Sequence, residues 1–83
     1  MKRPEIEAWL IAHGWTMDRW GHYRTRKMNH KQELKEVRMK MQTTSIRYEV
    51  NMSGGEWGKL ASDYYKNCYL MDGRLHVGNL LIG

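Results

Sequence analysis

The apolar positions change their period after the first dozen residues. Ile6, Trp9 and Leu10 stand three and four apart, with His13 one turn beyond Trp9, which is the stripe of a helix with one buried face. Pro4 suits a first helical turn, Glu5 and Glu7 favour the positive end of the helix dipole, and Gly14 supplies a stop. The spacing predicts a helix over 3–13. Beyond it the pattern turns to strands. Trp15 and Met17, then Trp20-Gly21-His22-Tyr23-Arg24-Thr25, predict a hairpin from about 15 to 27 joined near Asp18 to Gly21.

Residues 29–42 carry two patterns at once. Leu34, Val37 and Met41 have helical spacing behind an Asn29 cap, whereas Val37, Met39 and Met41 alternate with Arg38, Lys40 and Gln42. Alternation resumes after Thr43-Thr44-Ser45 as Ile46, Tyr48, Val50 and Met52, so a loop to about 35 and a strand from 36 is the preferred assignment. The apolar parity flips from odd to even across 43–45, which requires a turn or a bulge. Ser53-Gly54-Gly55 ends the strand, and Trp57, Leu60, Ala61 and Tyr64 predict a second short helix over about 56–66. Asp72-Gly73 predicts a tight C-terminal hairpin because both residues accept positive φ, and Gly78-Asn79 turns the chain again before Leu80-Leu81-Ile82. The expected fold is one α+β domain over 1–83, an N-terminal helix packed on an antiparallel sheet of four to five strands.

Length and composition narrow the chemistry. A chain of 83 residues makes one small domain without a deep cavity, so a site should lie on a groove, a sheet face or a loop. The single cysteine, Cys68, excludes an internal disulfide framework and fits a reducing compartment. The apolar stretch Ala8 to Ala12 is too short for a signal segment, and no run approaches the ~18 apolar residues of a membrane span. A cytoplasmic protein with no membrane partner is expected.

Charge is concentrated rather than spread. The chain carries +5, but the segment from Arg19 to Arg47 carries +7: nine cations (Arg19, Arg24, Arg26, Lys27, Lys31, Lys35, Arg38, Lys40, Arg47) against Glu33 and Glu36. Phosphate or an acidic protein surface is the natural complement of such a segment. Trp20, Tyr23 and Tyr48 interleave with these cations, and stacking planes beside cations hold single-stranded nucleic acid. With no Phe in the chain, Trp9, Trp15 and Trp57 are assigned to the core.

Catalytic and metal constellations are sparse. His13, His22, His30 and His76 show no ligand spacing, no phosphate-cradling Gly-Lys-Ser/Thr is present, and Cys68 has the setting of a small apolar residue. No cofactor or metal is expected. His22 alone invites a reaction: it follows Gly21 in a turn with Arg19, Arg24 and Arg26 nearby, where a histidine could serve as general acid or base on RNA.

Residues 3–24 carry a resemblance. Ile6 and Leu10, Gly14-Trp15, Asp18-Arg19 and Gly21-His22-Tyr23 resemble the opening of HicA-type toxins, small mRNA interferases with a double-stranded-RNA-binding-domain-like fold. The resemblance implies that His22 is the catalytic histidine and that a cognate antitoxin blocks it. This chain lacks the serine that the family places before that histidine, and it carries a hairpin at Asp72-Gly73 where the family finishes with a helix. The later segments Thr44 to Val50 and Tyr64-Tyr65-Lys66 look like those of small phage and prophage proteins.

Three functions follow in order of expectation. The first is a non-catalytic module binding RNA or DNA through the central cations with Trp20, Tyr23 and Tyr48. The second is a phage-type protein that binds and modulates a host or phage protein, with homodimerisation through a strand edge as a variant. The third is a HicA-like ribonuclease using His22.

Overall fold

The computed structural model describes all 83 residues. The chain runs α1 (Arg3–Ala12), β1 (Thr16–Met17), β2 (Tyr23–Met28), β3 (Leu34–Met41), β4 (Ser45–Ser53) and β5 (Glu56–Tyr64). A single 3-10 turn (Tyr65–Asn67) then leads to β6 (Cys68–Met71), β7 (Arg74–Val77) and β8 (Leu80–Leu81). Strands β1 to β5 form one antiparallel sheet in chain order, and β6 to β8 form a second in the same manner. The architecture is α+β, and no helix is long and apolar enough to cross a membrane.

Helix α1 begins and ends as its sequence dictates. The Glu5 carboxylate accepts the backbone N–H of Lys2 at 2.8 Å, which satisfies one donor at the helix start. At the other end Gly14 takes φ +86, and the N–H groups of Trp15 and Gly14 donate to the carbonyls of Leu10 and Ile11. This paired closure needs a residue without Cβ penalty, hence glycine, and it places an apolar residue just beyond. Trp15 fills that role and is buried.

The core lies on one side of the large sheet. Ile6, Trp9 and Leu10 of α1 join Tyr23, Val37, Met39, Met41, Ile46 and Tyr48 of the sheet, and Cys68, Leu75 and Val77 of the second sheet close it with Ile82, which follows β8. Register explains the membership: Met39 pairs with both Tyr23 and Tyr48, Val37 with Val50, and Met41 with Ile46. Ile6 and Leu10 are fully buried, worth about 1.5–3 kcal/mol each as side chains removed from water.

Several expectations change. Residues 56–66 are not a helix: 56–64 form β5, because their helical spacing is produced by a register shift opposite Tyr48 and Glu49. Leu60 falls between the paired residues Ala61 and Lys59, so the strand changes face without breaking its pairing. The ambiguous stretch is a strand from Leu34, two residues earlier than expected, whereas the expected antiparallel sheet of four to five strands is present as β1–β5, and the C-terminal hairpin belongs to a separate three-stranded sheet. The parity flip at 43–45 is the turn between β3 and β4. Asp72 and Gly73 take φ +52 and +73 in the C-terminal hairpin, as a two-residue turn with matching twist requires.

Candidate nucleic-acid interface

The face of the large sheet turned away from the core collects charge. Adjacent strands set Thr16, Arg24, Arg38, Glu49 and Lys59 in one cross-strand row from β1 to β5. Lys40 and Arg47 form a pair in the next row, and Arg26 pairs with Glu36 on the same face. Five of the nine central cations, Arg24, Arg26, Arg38, Lys40 and Arg47, therefore share one face. Lys59 of β5 joins them.

Carboxylates hold three of these guanidinium groups in place. Arg24 Nε donates to Asp18 at 3.1 Å and its Nη1 to Glu36 at 3.2 Å. Arg38 and Arg47 donate to the two oxygens of Glu49 at 2.6 and 2.7 Å. Burial acts to raise the Glu49 carboxyl, but the hydrogen bonds and charges of Arg38 and Arg47 outweigh it and hold the group below its ordinary value. Arg26, Lys40 and Lys59 have no carboxylate within ion-pair distance.

Two indoles are threaded among the guanidinium groups. Arg19 lies 4.4 Å from the Trp20 ring centre, Arg24 lies 5.9 Å from Trp20 and 5.3 Å from Trp57, and Arg38 lies 4.2 Å from Trp57. Trp20 is 60% exposed. Tyr64 stands on the same face opposite Ser45, exposed, with Lys66 5.5 Å from its ring centre. A face that presents aromatic planes and fixed guanidinium groups can stack bases and neutralise phosphates together.

Three aromatic side chains lie on the opposite face of the sheet from the one expected. Tyr23 and Tyr48 are buried against α1 and Trp15 and cannot stack on a base, because strand parity turns them to the core. Trp57, assigned to the core, lies half-buried on the outer face. The available signal was Tyr48 itself, which alternates with Arg47 and Glu49 and shares its parity with Ile46 and Val50. Nothing local could mark Trp57, since its face depends on the register shift downstream.

The nine cations do not make one patch. Lys27 and Lys35 pair across β2 and β3 on the core-side face, and Lys31 sits in the loop between those strands. Arg19 belongs to the loop before β2 and reaches the outer face only through Trp20.

His22 is built into this loop. The Asp18 carboxylate accepts the N–H groups of Trp20 and His22, and the Met41 N–H donates to His22 Nδ1 at 3.0 Å. A nitrogen that accepts cannot carry the proton, so the neutral ring holds its hydrogen on Nε2. Burial lowers the His22 pKa, and Arg38, Lys40 and Arg3 lower it further against the opposing charge of Asp18. At neutral pH the ring is thus uncharged, with Nε2–H as a donor. That suits hydrogen bonding to an anion better than proton transfer.

The remaining titratable candidates lie elsewhere. Cys68 is buried with its thiol directed at the Tyr64 carbonyl, and burial raises its pKa above the usual value. His13 stacks on Trp9 at 3.9 Å and His76 on Tyr69 at 4.7 Å. No group of three His, Cys, Asp or Glu side chains converges as a metal site would. No family model matches the chain, no curated protein matches it at a significant level, and no solved structure does.

Proposed function

We propose that the protein is a small non-catalytic module that binds single-stranded nucleic acid on the outer face of the β1–β5 sheet. The observation that carries the reading is the alternation Arg19, Trp20, Arg24, Trp57, Arg38 across that face. Carboxylates fix the inner arginines, while Arg26, Lys40 and Lys59 stay free to meet phosphates. His22 Nε2–H adds a neutral donor at the rim. The loop holding His22 is rigidly bonded, which gives the ribonuclease reading less support than the binding reading.

The test is the salt dependence of binding to a labelled single-stranded oligonucleotide. About four phosphate contacts give a log–log slope near −3 and a loss of about 50-fold between roughly 50 and 200 mM salt. Salt-indifferent binding over that range would exclude the reading.

A protein partner is the second reading, favoured by the position of β5. This nine-residue strand forms the sheet edge, pairing only with β4, and it carries exposed Leu60 and Tyr64. The second sheet approaches the end of this edge at Asp63 and Gly78, and the remaining unpaired length can take another strand, from a second copy or a different chain. Recovery of nucleic acid without a stoichiometric protein from host lysate would set this reading aside.

A further inference from the structure

The three lysines of the central segment that the outer face does not use line a groove on the opposite side of the sheet. It has a volume of about 630 Å³ and lies between the β2–β3 hairpin, the middle of β4 and β5, and β8. Its apolar lining includes Val37, Val50, Met52, Leu60 and Leu81, of which Met52, Leu60 and Leu81 are exposed. Lys27, Lys31 and Lys35 also line it, against one carboxylate, Glu33.

Charge in this groove is unbalanced. Lys27 and Lys35 stand directly opposite each other across β2 and β3, so two like charges sit on adjacent strands of one face, an unfavourable pairing that an anion would relieve. Neither has a carboxylate partner. The Lys27 ammonium donates to the Ile82 carbonyl, which pins the C-terminal segment, and burial lowers its pKa. Glu33 offers no relief, since it is held in the hairpin loop by Asn29.

The shape of the groove selects among anions. Its floor over β2, β3 and β4 is paired sheet seen face-on, so the main-chain groups there are already used in the ladders, and only β5, at the rim, has an unpaired side. It offers side-chain contact and charge but little main-chain pairing, which suits an alkyl chain better than an extended peptide. Methionine at the rim adapts to a flexible chain. The volume lies in the range of small-ligand sites. We propose that this groove binds a free single-chain anionic amphiphile, its tail on Val50, Met52, Leu60 and Leu81 and its head group between Lys31 and Lys35.

The experiment titrates the whole protein with decanoate below its micelle concentration and follows methyl resonances. Saturable shifts at Met52, Leu60 and Leu81, with Met17 unmoved, are expected. Octyl glucoside, with an uncharged head, should bind at least tenfold more weakly, and Lys35→Glu should weaken decanoate at least tenfold. That variant faces Lys27 with an opposite charge and should keep its fold, as its amide spectrum will show. Arg26→Ala and Lys40→Ala should leave decanoate binding unchanged, which separates this site from the nucleic-acid face. Any one of four results overturns the proposal: no saturable shift, equal affinity for the neutral amphiphile, tighter binding of a synthetic alternating Glu-Leu peptide in the groove, or co-sedimentation with anionic phospholipid vesicles that Lys35→Glu abolishes.

Discussion

Glu49 and Arg38 are joined at 2.6 Å on the side of the sheet that has no core behind it, and Glu49 is nevertheless only 4% exposed. Arg38, which also covers Trp57, and Arg47, which binds the second Glu49 oxygen, account for the two guanidinium partners of that carboxylate. Replacing the carboxylate by an amide leaves one guanidinium group facing an NH2 donor and the other on a neutral acceptor. Glu49→Gln should cost about 2 kcal/mol, the scale of a lost hydrogen bond to a charged group, measured by urea unfolding. The Glu49 pKa is depressed in the folded state, so its contribution is present above the unfolded value near 4.5 and declines as pH falls through the folded value. The difference between wild type and Glu49→Gln should shrink in acid.

The free cations of the outer face separate phosphate binding from stacking. Arg26→Ala and Lys40→Ala should each weaken oligonucleotide binding and flatten the log–log salt slope by about 0.7 for a single strand. Trp20→Ala should cost about 1–3 kcal/mol of affinity and leave the slope unchanged. Lys31→Ala, on a loop at the groove, should alter neither, and fluorescence anisotropy across a salt series checks all four.

His22 should report pH through stability. Its folded pKa lies below the ordinary histidine value of 6.5, so the neutral form is favoured by folding and its contribution is present above about 6.5. The contribution is lost as pH falls below that value through the folded pKa, because protonation puts a hydrogen on the Nδ1 that Met41 N–H already occupies. His22→Ala should be less stable than wild type by about 1 kcal/mol above neutral pH. The gap should close in mild acid, as followed by urea unfolding across a pH series.

Trp9 links the helix to the second sheet, since its Nε1–H donates to the Gly73 carbonyl at 2.9 Å. Trp9→Phe keeps most of the apolar bulk and removes that donor. A loss of about 1 kcal/mol is expected, a fall in Tm of roughly 4–8 °C for a domain of this size.

Much of the fold could be read from the chain because its signals are local. Helix α1 is bounded by Pro4 and Gly14, and Asp72-Gly73 specifies its hairpin within two residues. The fold of 56–64 could not be read in this way. Trp57, Leu60, Ala61 and Tyr64 imitate a helical stripe only because one strand residue, Leu60, is passed over in the pairing with β4. The same shift hid the candidate face, which depends on Trp57 lying beside Arg38. Charge was legible in amount but not in placement. Lys27 and Lys35 differ by parity from Arg26 and Arg38, and parity mattered more than position in the segment.

Because spatial order follows chain order in both sheets, every strand meets its partner across a short turn, and no strand must wait for a distant one. Folding can therefore advance by closing neighbouring hairpins, with little entropy spent on large loops. The slow event is then the docking of α1, whose Trp9 must find a turn formed by residues near the other end of the chain. Hydrogen exchange should show the hairpin amides protected before that indole N–H is.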